Sequence, residues 1–360
     1  MANKILELFG LDTDPILGLD IGSTAVKIME LSRKNGRIRV ERYAMEPLEP
    51  GVVVEKIIMK REKVVAALKA VAIKAQIISK KVCVSIPNST AITKIIELGS
   101  DLSDRDIGLE IEMDAERHIP YPLEDVNLDY TVIGPVVVKE DLVNVLLVAS
   151  KKENIENIEE IVTEAGLDIA VVGIDSFAVQ RSYEFLAKKL PEGAQDKIVA
   201  VFDVGATTMT LNVFDRKNIV YTREQAFGGQ HLIDQIQNTY GLTYDEAILA
   251  LTYEDLPADY YTEILEPFKQ SVAQQVIRLS QLFFSSGNYS TVDFVFLTGG
   301  GSAFTGIDGL VQSKLNIKTF MANPFADFLL ASQISEGVFN KDLPRLMIVC
   351  GLALRNLTQK

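Results

Sequence analysis

Ile16-Leu17-Gly18-Leu19-Asp20-Ile21-Gly22-Ser23-Thr24-Ala25-Val26-Lys27-Ile28-Met29 and Ile198-Val199-Ala200-Val201-Phe202-Asp203-Val204-Gly205-Ala206-Thr207-Thr208-Met209-Thr210-Leu211 repeat one pattern. An apolar run enters Asp-x-Gly-x-Thr and a second apolar run leaves it, which reads as strand, tight turn, strand. Each copy continues into a third short strand, about Arg37 to Tyr43 and about Asn218 to Thr222. Duplication on this scale predicts two similar domains facing each other. Two such turns, opposed, would grip one phosphate chain from both sides.

The residue types in the turns suit that task. Glycine tolerates positive φ and lacks a Cβ, so backbone N–H groups can approach phosphate oxygens closely. Ser23, Thr24, Thr207 and Thr208 add hydroxyl donors. Asp20 and Asp203 repel phosphate directly, so they make sense only if a Mg²⁺ with its water shell lies between them and the phosphates. Lys27 stands close enough in sequence to lend a positive charge. A single turn of this kind would read as a bare β-hairpin. Two on matching scaffolds read as a binding site. A third element, Leu297-Thr298-Gly299-Gly300-Gly301-Ser302, precedes Gly306 and the apolar helix Ile307–Leu315. It predicts a flat backbone surface for a planar base, beside a helix N-terminus that favours negative charge. The run is not GxGxxG after the first strand, and a three-strand opening excludes a Rossmann start.

Composition bounds the remaining options. The 360 residues, 48% apolar and 24% charged, predict an ordinary globular protein of two or more domains. A net charge of −13 argues against a nucleic-acid partner. The pairs Lys80-Lys81, Lys151-Lys152 and Lys188-Lys189 are too short to reverse this and read as solvated surface. Cys83 and Cys350 lie among aliphatics and read as buried small hydrophobes. With His118 and His231 as the two histidines, both read as structural, no zinc site is expected. No apolar stretch approaches the length of a membrane span, no signal peptide is expected, and a reducing, cytoplasmic compartment fits.

Along the chain, residues 1–13 read as a loose tail, with Ile5, Leu6, Leu8 and Phe9 forming one apolar helical turn. A helix is predicted from about Glu55 to Gln76, then a strand Val82–Ile86 closed by Pro87-Asn88. The texture then changes to strand, helix, two strands and helix. Ser103 caps the first of these helices, and Pro120 and Pro122 end it. This predicts an inserted α+β subdomain over 89–169, interrupting a first domain made of 14–88 and 170–195. The second domain is expected to cover 196–360, entered through the turn-rich Pro191-Glu192-Gly193-Ala194.

Taken in order, the three motifs resemble those of the actin-like ATPase superfamily. That resemblance implies an α/β fold of two duplicated mixed-sheet domains, each sheet five-stranded, around a cleft for ATP and Mg²⁺, with an inserted subdomain of the 1C type. It implies phosphate-contacting roles for Gly22, Ser23, Thr24, Lys27, Gly205, Ala206, Thr207 and Thr208, and metal contact through water for Asp20 and Asp203. Gly299, Gly300, Gly301 and Ser302 take the adenosine role. Asp175, in Ile174-Asp175-Ser176-Phe177-Ala178, resembles the segment carrying a water-polarising acid; an acidic N-cap explains it equally well. Gly229, after Gly228, stands where relatives approach the nucleotide, or simply makes a tight turn. Gln275 and Arg278, one helical turn apart, would face an adenosine or form a solvated face.

Within the superfamily, the position of the insert resembles the division protein FtsA. The string His118-Ile119-Pro120-Tyr121-Pro122-Leu123-Glu124-Asp125-Val126-Asn127-Leu128-Asp129-Tyr130 is similar to the PilM family of type IV pilus assembly proteins, as are Leu17–Lys27 and Ala322-Asn323-Pro324-Phe325. That resemblance implies an ATP-binding cytoplasmic scaffold, peripheral to the inner membrane within the pilus assembly complex, and open to homo-oligomerisation. Its partner would be the N-terminal cytoplasmic segment of PilN, in a groove between the first domain (1A) and the insert (1C). Asp175 is shorter than the usual Glu and Ala206 lacks a hydroxyl, departures that weigh against fast hydrolysis more than against binding. Two other readings stay open: an FtsA-like polymerising division protein, disfavoured by the lack of a basic amphipathic tail, and a small-molecule kinase, which would need a substrate pocket.

Overall fold

The computed structural model describes residues 15–136, 139–191, 196–287 and 289–358. The expected tail 1–13 and positions 192–194 of the turn-rich stretch lie outside them. The first copy of the repeat forms the meander β1 (Leu17–Ile21), β2 (Ala25–Lys34) and β3 (Arg37–Pro47). A two-stranded hairpin, β4 (Val53–Val54) and β5 (Ile57–Ile58), leads to α1 (Arg61–Ala75) and β6 (Lys81–Ile86). The insert contributes β7 (Ala91–Gly99), α2 (Asp104–His118), β8 (Val126–Val136) and β9 (Lys139–Lys151). Then come α3 (Lys152–Glu164), β10 (Asp168–Ile174) and α4 (Asp175–Ala187). The second copy is β11 (Ile198–Val204), β12 (Met209–Asp215) and β13 (Asn218–Gln225), followed by α5 (Gln230–Tyr240) and α6 (Tyr244–Thr252). A π-helical turn (Tyr261–Leu265) opens into α7 (Glu266–Ser285), and then β14 (Phe294–Thr298), α8 (Ile307–Leu315) and β15 (Lys318–Met321) follow. The last elements are β16 (Leu329–Leu330), α9 (Glu336–Asp342) and α10 (Met347–Thr358).

The two sheets are built alike. The first runs β10-β6-β1-β2-β3-β16 and the second β13-β12-β11-β14-β15. In each, the strand entering the Asp-x-Gly turn pairs antiparallel with its successor and parallel with a later strand, β6 or β14. Such central strands are covered on both faces and so read as continuous apolar runs. Ala200, Phe202 and Val204 enter one core with α7, while Val199 and Val201 enter another with α4. Burial of each large side chain of this kind contributes roughly 2 kcal/mol.

Three boundaries differ from the sequence expectation. The helix predicted from Glu55 begins at Arg61, because residues 53–58 pair as the β4–β5 hairpin. The insert is smaller than 89–169: its own core joins Ile107, Ile111 and Ala115 of α2 to Val145, Leu147 and Ala149 of β9. Helix α3 instead sends Ile158, Ile161 and Val162 into the first domain's core. The second domain also does not extend through 360. Leu329 and Leu330 pair with Arg39 and Val40 of β3, giving the first sheet a sixth strand. Helix α10 packs on β1, β2 and α4. Gly351 permits that closeness, since a Cβ there would lie 1.8 Å from the Ala178 carbonyl oxygen.

Candidate functional site

The two turns close with the same hydrogen bond: Gly22 N–H donates to the Ala25 carbonyl and Gly205 N–H to that of Thr208, each at 3.0 Å. They meet tip to tip, with Ser23 Oγ 3.1 Å from Thr207 Oγ1. Neither turn glycine adopts the left-handed backbone that the sequence reading allowed for. What they supply is room, since a Cβ on Gly22 would lie 3.2 Å from Ala25 O and one on Gly205 2.9 Å from Thr208 O. Thr24 is exposed, while Ser23, Ala206, Thr207 and Thr208 are half-buried. Gly229 N–H donates to Gly205 O and Gln230 N–H to Ala206 O, so the start of α5 braces the second turn.

The aspartates differ in their surroundings. Asp20 stands across the strand pair from Lys27, and its Oδ2 accepts from Lys27 Nζ at 2.6 Å. Lys27 is thus committed to a carboxylate. Asp203 stands across from Thr210 and accepts no side-chain hydrogen bond among the described residues. Burial pushes its carboxyl up to about 6, against the pull of Lys56 and Lys27. A half-buried carboxyl in this condition is a group that a nearby cation would hold ionised. No group of three or more His, Cys, Asp or Glu side chains among the described residues is arranged to hold a metal. Hydrated Mg²⁺ needs no such cage, only one or two carboxylates and phosphate oxygens. Asp20 and Asp203 fit that requirement.

Asp175 is the first residue of α4, preceded by the cap residue Ile174, so it is not the N-cap. Its Oδ1 accepts from Ser85 Oγ at 2.6 Å and its Oδ2 from Lys56 Nζ at 2.5 Å. Lys56 Nζ also lies 3.8 Å from Glu224 Oε1 on the second domain's β13. Asn88 joins the same group: its Oδ1 accepts from Ser176 N–H and its Nδ2 donates to Glu224 Oε1 at 3.0 Å. Burial pulls the Lys56 ammonium down, but Asp175 and then Glu224 outweigh it, and the net shift is upward. Lys56, Ser85, Asn88 and Glu224 were not singled out from sequence. Residues 55 and 56 were assigned to a helix, and the others carry no local motif.

The glycine-rich segment presses against Asp203. Gly299 has φ +88°, and a Cβ there would lie 2.3 Å from Val204 O and 2.4 Å from Asp203 Oδ1. Its N–H donates to Pro344 O at 2.7 Å. Ser302 is fully buried and its hydroxyl donates to Thr298 O and Gly299 O, so it shapes the loop from within. Gly301 is buried too. Gly300 is the accessible member, with the Arg345 side chain against it. On α7, which packs on α8, Arg278 is exposed and Gln275 half-buried. Gln275 Oε1 is shut away from solvent with no hydrogen-bond partner among the described residues, so it does not face an open ligand site.

Comparisons with known proteins bear on the family and the fold. A sequence profile of the family described as type IV pilus assembly protein PilM matches residues 18–357. The solved structure "PilM-PilN type IV pilus biogenesis complex" superposes with TM-score 0.77 at 23% identity, covering 96% of this chain and 99% of that one. Ethanolamine utilization protein EutJ from Carboxydothermus hydrogenoformans superposes with TM-score 0.57 at 15% identity, covering 96% and 91%. Cell division protein FtsA of Enterococcus faecalis (strain ATCC 700802 / V583) is 24% identical over an alignment of 360 positions, covering 86% of this chain and 79% of that protein. The fold is that of the actin-like ATPases.

Proposed function

Because the chain belongs to the type IV pilus assembly protein PilM family, we propose that it is an ATP-binding scaffold of the pilus assembly complex at the inner membrane. The observation that carries the nucleotide part is the apposition of the two turns, whose hydroxyls meet at 3.1 Å from opposite sheets. Bound Mg-ATP would supply a compact block of charge that both halves contact at once. Backbone N–H groups of Ser23, Thr24 and Ala206–Thr208, left free by the turn-closing bonds of Gly22 and Gly205, would bind its phosphates, Asp20 and Asp203 its hydrated metal, and Gly300 its nucleoside end. Asp175 is the candidate for polarising a water. With both its oxygens occupied by Ser85 and Lys56, slow turnover is the expectation.

The partner part rests on family membership. A concavity of about 610 Å³ lies between β7 and α2, lined by Ile95, Ile96, Leu98 and Met113 with Glu110 and Arg117. Met113 is 86% and Ile95 57% exposed, and with Glu97, Glu110, Asp114, Arg117 and His118 around them the hollow is a mixed apolar and charged surface. All residues lining this concavity belong to the insert, so the PilN N-terminal segment is proposed for the groove between the first domain and the insert on family membership alone. Attachment to the membrane would run through such partners, since no helix among the described residues is long and apolar enough to cross a bilayer. Calorimetry with ATP and ADP in Mg²⁺ tests the nucleotide part, and binding of neither would end it. A pull-down with the PilN N-terminal peptide, with and without ATP, tests the partner; no capture in either condition would refute it.

A further inference from the structure

The β4–β5 hairpin carries a lysine into the cleft at some conformational cost. Val53 pairs with Ile58 and Val54 with Ile57, so Glu55 and Lys56 alone make the turn. Both have positive φ, 47° and 65°, in a turn type that favours Asn and Gly. Two successive non-glycine residues in that region persist only where surrounding contacts hold them. The contacts here are ionic: Asp175 from the first domain and Glu224 from the second. The Lys56 side chain keeps 18% exposure, and its charge acts on Asp203 of the second turn. Lys27, the other cation near the aspartates, already pairs with Asp20 in its own strand ladder.

We infer that Lys56 is the residue by which the cleft distinguishes a nucleoside triphosphate from a diphosphate. It rests on Asp175 and Glu224 until a terminal phosphate offers a stronger counter-charge, and then moves onto that phosphate. The inference depends on the nucleotide reading above. A lysine suits the task because its ammonium is a compact charge on a flexible stem that can exchange partners by rotation. Movement off Glu224 also removes one tie between the halves, while Asn88–Glu224 and Ser23–Thr207 remain. Triphosphate and diphosphate would therefore leave the two halves differently linked, which is the differential contact that a ligand-driven shift requires.

Titration calorimetry in Mg²⁺ with a non-hydrolysable ATP analogue and with ADP tests this. Lys56→Met should weaken the analogue about tenfold or more, as expected for loss of one charge-assisted contact, while ADP affinity changes far less. Lys56→Arg should keep most of the preference. Glu224→Gln retains an oxygen for Asn88 but removes the competing charge, so the analogue should bind more tightly and ADP unchanged. A merely structural Lys56 predicts no gain in that variant, and Glu224→Gln remains informative if Lys56→Met fails to fold. Equal losses for both nucleotides, or an unchanged ratio in Lys56→Met, would overturn the inference and leave nucleotide binding standing. Wild-type protein that binds neither nucleotide would remove both.

Discussion

The first and second Asp-x-Gly turns share a backbone and differ in what faces the aspartate. Asp20 faces Lys27 and forms an ion pair with it; Asp203 faces Thr210 and has no such partner. One domain neutralises its own carboxylate, whereas the other holds a half-buried carboxyl that desolvation pushes up to about 6. A duplicated turn therefore does not give duplicated electrostatics. The cleft is asymmetric, with a self-sufficient side and a side whose charge awaits a cation.

Four substitutions would break or sharpen this contrast. Gly299→Ala should have the largest effect, because its Cβ would collide with Val204 O and Asp203 Oδ1 on a left-handed backbone. A loss of ~3 kcal/mol or more is expected, read by chemical denaturation; near-wild-type stability would show that the loop does not lock Asp203. Lys27→Thr writes the second domain's residue into the first and leaves Asp20 buried without its partner. About 3 kcal/mol should be lost at pH 7, seen as a lower urea midpoint.

Asp203→Asn bears on pH. The folded protein keeps a proton on Asp203 up to about 6, while the unfolded chain releases it near the ordinary 3.8. The native state thus binds more protons between those values, and ligand-free stability falls as pH rises through that window. Asparagine should abolish this part of the slope, raise stability at pH 7 and weaken Mg-ATP binding, measured as denaturation midpoints from pH 4 to 7 and by calorimetry. An unchanged slope would remove Asp203 as its source. Ser23→Ala should have the smallest effect, about 0.5–1 kcal/mol from one lost hydrogen bond between the halves. Differential scanning calorimetry would show a small decrease in Tm.

The turns were legible because they are local: Asp, Gly and Thr within five residues, flanked by apolar runs, leave little choice of structure. Gly299 to Gly301 were legible for the same reason. Lys56 was not, since its role comes from Asp175 and Glu224, which lie far from it in sequence and meet it only after folding. Its turn also lacks the Asn or Gly that would signal a hairpin, and the apolar residues around it merge with the helical stripe of α1. The superfamily resemblance implies an adenosine role for Ser302, but its geometry directs that hydroxyl into the loop. The limits of the insert failed differently. The amphipathic pattern of α3 shows that Ile158, Ile161 and Val162 are buried, but periodicity does not say against which sheet.

The return of α10 to the first domain has a consequence for synthesis. Strands β1, β2 and β6 leave the ribosome early, yet the helix that covers their far face is encoded after the whole second domain. Until it arrives, only α4 lies on that side, over β6 and β10, and the rest of the nascent sheet's apolar face is bare and prone to aggregation. Removing α10 would therefore not merely trim the second domain, whose Val199 and Phe214 share a core with Met347 and Leu352. It would unroof the first.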